Sequence, residues 1–206
     1  MMELFVSAFV TFFVVIDPPG CAPIYASLTS GAAPAHRRAM AIRAVFVAAI
    51  ILLVFALFGE QLLGALGISL DSFRIAGGIM LFLIALEMVF EKRTQRREER
   101  AKEVMEAPVE DVSIFPMAIP MIAGPGSIAS TMLLMARSEG LEQSLVVFAA
   151  MGAILVLTLL SLLLAGPLMS LIGHRVETVV TRLLGVILAA LAAQFVVDGI
   201  KASFSI

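Results

Sequence analysis

Long apolar runs separated by short polar stretches are the main pattern of this chain. A helix or strand of a soluble protein is apolar at regular intervals, whereas these runs are apolar at most positions over 20 or more residues. About 20 such residues suffice to cross the hydrocarbon core of a bilayer as a helix. The pattern therefore predicts six spanning helices, over residues 4–31, 40–64, 70–90, 113–136, 143–172 and 178–200.

Composition agrees with this fold class, an all-α polytopic membrane protein. Of 206 residues, 61% are hydrophobic, where soluble domains are about half apolar. Six spans leave no room for a separate soluble domain. The first run carries Glu3 and no basic residue before it, which favours a retained helix over a cleaved signal peptide. The single cysteine excludes an intrachain disulfide framework and a cysteine-built zinc site.

The distribution of Lys and Arg predicts the orientation, because cytoplasmic loops carry an excess of these residues. With the N-terminus outside, eleven of the 14 basic residues fall on the inner side and three on the outer side. We therefore expect both termini outside. The inner residues are Arg37, Arg38, Arg43, Lys92, Arg93, Arg96, Arg97, Arg100, Lys102, Arg175 and Arg182, and the outer ones are Arg74, Arg137 and Lys201.

One long hydrophilic stretch, residues 91–111, divides the chain. Its mixed charges predict a helix outside the bilayer that ends near Pro108. We expect a solvated cytoplasmic connector, with a regulatory or lipid-headgroup role as the alternative. Glu87, about one turn before it, is expected to be an interfacial acid. The predicted units are residues 1–91 (first repeat), 92–112 (connector) and 113–206 (second repeat).

The two halves resemble each other. Each opens with a span broken by Pro and Gly, and each third span begins with a similar run, Arg74–Gly77 and Arg182–Gly185. The break and the arginine are separated by 54 residues from Gly20 in the first half and by 56 from Gly126 in the second. Since each half has three spans, the halves are predicted to be inverted repeats, an arrangement that recurs in secondary transporters. Gly77, Gly78 and Gly185 are expected at helix-packing positions.

The two breaks are Asp17-Pro18-Pro19-Gly20 and Ala123-Gly124-Pro125-Gly126. Proline inside a helix removes a hydrogen bond and clashes with the preceding turn. Each break should therefore end one half-helix and start another, with Asp17 as the N-cap of the second half-helix and Pro18 at its first position. Irregular backbone at membrane depth is tolerated where protein buries it or water reaches it.

Inverted halves would bring both breaks to the midplane, where two positive helix ends face one cavity. Such ends bind carboxylates. Freed carbonyls and Asp17 could receive an ammonium group or a proton, so a small zwitterion fits without a buried Arg or Lys. Asp17 is the candidate coupling residue, although the cap role alone would also explain it. The candidate substrate-binding residues are Asp17, Pro18, Pro19, Gly20, Cys21, Ala123, Gly124, Pro125, Gly126 and Ser127.

The runs Val15–Ile24 and Ala118–Ile128 together resemble the MarC family of small six-span membrane proteins, which is similar to LysE-type exporters. The resemblance covers nearly the whole chain. It implies transport of small neutral amino acids such as glycine, alanine or serine, coupled to H⁺ or another cation. It also implies a bacterial or archaeal cytoplasmic (inner) membrane. Nothing in it indicates nucleic acid as a partner, or a cofactor or metal.

The sequence thus predicts a secondary transporter that works by alternating access. A passive channel or exporter for small solutes is one alternative, and a non-transporting membrane scaffold is another. An intramembrane enzyme is not expected, because no paired acids, Ser/His arrangement or metal-ligand cluster occurs in the spans. The direction of transport, the coupling ion and the oligomeric state stay open.

Overall fold

The computed structural model describes residues 1–93, 95–99 and 111–204, and for residues 167–178 the backbone alone. Helices make up nearly all of these residues, and no strand occurs among them. In chain order they are α1 (Met2–Ile16), α2 (Pro18–Leu28), α3 (Pro34–Ala65), α4 (Leu70–Val89), α5 (Ser113–Ile122), α6 (Pro125–Ala136), α7 (Gly140–Leu163) and α8 (Ala165–Phe204).

Prolines and polar caps set several of these boundaries. Pro34, Pro125 and Pro18 stand at the start of α3, α6 and α2, where the missing amide hydrogen costs nothing. The Ser69 hydroxyl caps α4 by accepting the Ser72 amide at 3.1 Å. These prolines and this cap therefore mark where the connections end and the helices begin.

Five of the described helical stretches are long and apolar enough to cross a membrane, with α1 and α2 counted as one stretch of 27 residues. A sixth span results when α5 and α6 are joined across their 52° bend. The prediction of an all-α polytopic membrane protein is therefore confirmed, and the predicted six spans are matched when the bent pair counts as one span. Large apolar side chains on α3, such as Phe46 and Phe58, remain exposed, as a lipid-facing surface requires.

The end of the fifth predicted span is wrong. That span was expected to reach residue 172, but α7 ends at Leu163 and α8 begins at Ala165. Leu164 alone forms the connection. The apolar run continues through this turn without a charge, so hydropathy could not locate it. Gly166 follows directly, and the next residue is a proline, which is tolerated in the first turn of α8.

The long helices α4 and α8 pack closely along each other. A Cβ on Gly78 would lie 2.9 Å from the Ala192 carbonyl oxygen, and one on Gly185 would lie 3.1 Å from the Ala85 carbonyl oxygen. Small residues allow such backbone approach between membrane helices. The helix-packing role predicted for Gly78 and Gly185 is thereby confirmed.

The contacts between the two halves are reciprocal. Helices α1 and α2 of the first half pack on α7 of the second, and α5 and α6 of the second half pack on α3 of the first. Likewise α2 packs on α8 and α6 packs on α4. Two related halves would produce this pairing. The inverted repeat itself stays a prediction.

Candidate functional site

The first break is a kink at one residue. Asp17 adopts the left-handed backbone conformation, with φ 59° and ψ 64°, and α2 begins at the next residue. Its Oδ1 accepts a hydrogen bond from the Gly20 amide at 3.2 Å. A Cβ on Gly20 would lie 2.2 Å from Asp17 Oδ2, so glycine leaves the room that this cap needs. The N-cap role predicted for Asp17 is confirmed.

This kink removes the usual helical donors from three carbonyls at the end of α1. Pro18 and Pro19 have no amide hydrogen, and the Gly20 amide is taken by the Asp17 side chain. The carbonyls of residues 14–16 would otherwise accept from these three positions in a continuous helix. The end of α1 therefore presents backbone oxygens in the interior of the protein.

Two arginines from the segment after α4 donate to these oxygens. Arg93 Nη2 donates to the Val15 carbonyl, and Arg97 Nη2 donates to the Ile16 carbonyl at 3.5 Å. The Cys21 thiol also approaches the Ile16 oxygen, at 3.4 Å. A helix carboxyl end carries partial negative charge, which attracts guanidinium groups. The expectation of a fully solvated connector therefore does not hold for Arg93 and Arg97.

Arg97 also forms a buried ion pair with Asp17. Its Nη1 lies 2.9 Å from Asp17 Oδ2, and the two side chains are 10% and 3% exposed. Both carboxylate oxygens of Asp17 are thus occupied, one by Arg97 and one by the Gly20 amide. The predicted zwitterion site had no buried Arg or Lys. The structure differs, because a guanidinium stands where an ammonium group was expected.

The second break is wider than the first. Phe115 and Ile119 each precede a proline and have extended backbone inside α5, with φ near −123° and −125°. Proline disfavours the helical conformation of the residue before it. Helix α6 then starts at Pro125 without a side-chain cap from Gly124. A Cβ on Gly124 would lie 2.3 Å from the Pro120 carbonyl oxygen, so this turn requires glycine.

The two breaks adjoin each other. A Cβ on Gly126 would lie 3.2 Å from Val15 Cγ1, next to the carbonyl that Arg93 binds. They meet unequally, however. The positive end of α2 is already capped by Asp17, whereas the start of α6 has no side-chain cap. Of the two positive helix ends expected to face one cavity, the structure places only the start of α6 among the residues that line it.

A cavity of about 330 Å³ lies at this junction. Residues from α1, α4, the segment after α4, α5 and the start of α6 form its wall. Its lining combines apolar side chains with charged groups. The lining residues are Val15, Met80, Leu83, Ile84, Glu87, Arg93, Arg96, Arg97, Pro116, Pro120, Met121, Gly124, Pro125, Gly126 and Ser127.

The cavity brings together part of the predicted site. Gly124, Pro125, Gly126 and Ser127 line it, while Ala123 is 2% exposed beside them and is not among the lining residues. The candidates of the first break, residues 17–21, are not among the lining residues either. Asp17 contacts the lining through its ion pair with Arg97. The structure thus connects the two breaks through an arginine that the predicted site did not include.

Sequence reasoning missed four charged residues of the cavity. Arg93, Arg96 and Arg97 were assigned to solvent, and Glu87 was assigned to the membrane interface. Arg93 and Arg97 are four residues apart, which places them on one face of a helix, and that spacing was the available signal. Glu87 instead lines the cavity and pairs with Arg96. Hydropathy could not show that this segment folds back against the first break.

Fold and cavity together define a class: a polytopic helical membrane protein with a solute-sized site where broken spans meet. The chain belongs to the MarC family. The family described as "MarC family integral membrane protein" matches residues 2–204. The family resemblance of the paired break motifs is thereby confirmed, and the relation to LysE-type exporters stays a prediction.

Relatives occur in archaea and bacteria. The chain is 38% identical to the UPF0056 membrane protein MJ1677 of Methanocaldococcus jannaschii, over 97% of each chain. It is 33% identical to the UPF0056 membrane protein YvbG of Bacillus subtilis, over 100% of this chain and 98% of YvbG. Against the UPF0056 membrane protein YhcE of Escherichia coli it is 34% identical, over 95% of this chain and 91% of YhcE. No solved structure matches the chain.

Proposed function

We propose that this protein is a secondary transporter for small neutral amino acids such as glycine, alanine and serine. The supporting observation is the cavity at the junction of the two breaks, which holds the uncapped start of α6 and three arginines. Its volume of about 330 Å³ lies at the lower end of the range for small-molecule sites, about 300–1,000 Å³. Discontinuous helices build the solute sites of many secondary transporters.

Each part of an amino acid has a complementary group in this site. Amides at the start of α6 and the guanidinium groups suit the carboxylate. The carboxylates of Asp17 and Glu87 suit the ammonium group, which would replace the arginine that each acid now binds. The small side chain faces apolar wall such as Met80 and Leu83. We expect transport without chemical conversion of the solute.

Asp17 is the proposed coupling residue for H⁺ or another cation. Its carboxylate is held by Arg97 inside the protein, so a proton or cation at Asp17 competes with that guanidinium. Binding of the coupling ion would release Arg97 and open the junction between the breaks. This proposal links the charge of Asp17 to a conformational change, as alternating access requires.

The reciprocal contacts between the two halves support alternating access, in which two inverted repeats rock against each other. The proposed setting is the cytoplasmic (inner) membrane of a bacterium or archaeon, with both termini outside. The lipid bilayer then surrounds the exposed apolar faces of α3, α7 and α8. Residues 92–93 and 95–99 lie on the cytoplasmic side in this orientation.

Counterflow in proteoliposomes tests the proposal. Vesicles preloaded with unlabelled alanine should accumulate labelled alanine transiently and saturably, and a pH gradient should change the rate. Flux without saturation or counterflow would indicate a channel. Absence of any flux, with correctly folded protein, would indicate a non-transporting scaffold. Asp17→Asn should abolish the effect of the pH gradient while Glu142→Gln, at an exposed site on α7, should leave it intact.

A further inference from the structure

Arg93 is a cation without a described carboxylate partner. Among the described residues, its guanidinium donates to the Met88 sulfur at 3.1 Å and to the Val15 carbonyl. The two acids nearest to it are already engaged, Asp17 by Arg97 and Glu87 by Arg96. An uncompensated charge inside a protein is costly. Neutral acceptors do not supply the counter-charge that Arg93 lacks.

The described charges of the cavity therefore do not balance. Three guanidinium groups line it, and two carboxylates pair with them. The start of α6 faces the same cavity and adds partial positive charge. Both positive features lie against Val15, because Arg93 binds its carbonyl and Gly126 packs against its side chain. Both features therefore adjoin the same residue at the wall of the cavity.

We propose that Arg93 and the amino end of α6 together bind the carboxylate of the transported solute. This inference rests on the proposed function for the identity of the solute, and it adds the binding residue. The planar fork of an arginine matches a carboxylate through two parallel hydrogen bonds. The amides of the first turn of α6 complete the site.

Ligands that differ in one functional group test the wild-type protein directly. Alanine carries both groups, lactate lacks the ammonium group, and alaninamide lacks the carboxylate. Cys21 is the single cysteine and is fully buried, so a thiol-reactive dye reports unfolding in detergent. Alanine and lactate should raise the melting temperature, since a ligand of the folded state stabilises it. A rise with alaninamide equal to that with alanine would overturn the proposal, as would an equal rise with sodium sulfate.

Variants of Arg93 then test whether this residue binds the carboxylate. Arg93→Gln should weaken binding of alanine and lactate by about 10- to 100-fold, the range expected for losing a hydrogen bond to a charged group. Lys92→Gln is the matched control, because it removes the neighbouring positive charge from an exposed position and should leave both affinities unchanged. Arg93→Lys keeps the charge without the fork, and it should retain lactate binding more strongly than Arg93→Gln does.

Arg93→Lys keeps the test decisive if Arg93→Gln fails to fold. A folded lysine variant that binds alaninamide as well as alanine would overturn the proposal. Failure of the two proposals is also distinguishable. Arg93-dependent lactate and alanine binding without counterflow would refute the transporter and leave the carboxylate site. Alanine counterflow that survives Arg93→Gln with an unchanged KM would refute the carboxylate site and leave the transporter.

Discussion

The Asp17 carboxylate performs two structural tasks at once. One oxygen caps α2 at the Gly20 amide and the other holds Arg97. Sequence reasoning offered a cap and a coupling site as competing explanations for this acid. The geometry makes them compatible, because the cap uses Oδ1 and the ion pair uses Oδ2.

We predict that breaking this pair from either side destabilises the protein. Asp17→Asn and Arg97→Gln should each lower the free energy of unfolding by about 3 kcal/mol, because each leaves a buried charge without its partner. The double variant should recover part of the loss. Unfolding in mixed SDS micelles measures all three. Strict additivity of the two losses would contradict the prediction.

The control is a second Arg–Asp pair in the same chain. Arg43 and Asp111 form an ion pair whose side chains are 52% and 35% exposed. An exposed pair contributes less than about 1 kcal/mol. Arg43→Gln should therefore change the unfolding free energy far less than Arg97→Gln.

Gly20 should not tolerate a methyl group. In Gly20→Ala the new Cβ would lie 2.2 Å from Asp17 Oδ2, so the carboxylate must leave its cap position. We expect a loss of about 1 kcal/mol or more, the usual cost of a lost N-cap. Gly31→Ala is the control, since nothing lies within 4 Å of the added Cβ. An SDS unfolding midpoint for Gly20→Ala equal to that of Gly31→Ala would show that the cap is dispensable.

At the scale of elements, the pairing of α4 with α8 depends on backbone contact. Both helices are long and apolar, so burial of apolar surface gives little preference for one lipid-facing arrangement over another. Close approach at Gly78 and Gly185 supplies that preference. Each glycine lies against a carbonyl oxygen of the opposite helix as well as against side chains, and the backbone oxygen cannot move aside as a flexible side chain can.

We predict that Gly78→Leu separates these two helices. Its Cβ would lie 2.7 Å from Val196 Cγ2 and 2.9 Å from the Ala192 oxygen. Overpacking of this kind costs about 1–3 kcal/mol, and faster protease cleavage of the purified protein should accompany it. Gly152→Leu in α7 is the control, because nothing lies within 4 Å of the added Cβ there. Equal protease sensitivity of the two variants would contradict the prediction.

At the scale of the whole molecule, the segment after α4 changes how the charge distribution is understood. Orientation was inferred from Lys and Arg counts, and two of the arginines counted on the inner side bind the first break. The inner excess remains without them, with nine of the other basic residues on that side and three on the opposite side. The orientation inference therefore does not depend on Arg93 and Arg97.

We predict that both termini face away from the cytoplasm. A reporter enzyme active only outside the cytoplasm should be active when fused after Phe204 and inactive when inserted in the loop before Pro34. The opposite pattern would reverse the orientation. Adding four arginines at the C-terminus should reduce the activity of the C-terminal fusion, because positive charge favours retention on the inner side.

Much of the architecture followed from local chemistry that a sequence displays. Spans appear as apolar runs, and the fourth predicted span has the same limits as α5 and α6 together. Asp17 before two prolines predicted a cap, and the structure has one. The turn at Leu164 was not predicted, because a one-residue turn between two apolar helices has no polar residue to mark it. These features depend on residues close to one another in the chain.

The site needed contacts between residues far apart in the chain. Arg97 and Asp17 are 80 residues apart, and nothing in either local sequence shows that they meet. A run of mixed charges is normally solvated, since desolvating a guanidinium is costly. Here the freed carbonyls of α1 and the Asp17 carboxylate compensate that cost. The sequence by itself determined the apolar spans, the two breaks and the cap. The tertiary structure decided which charges enter the protein interior, because their partners come together only in the fold.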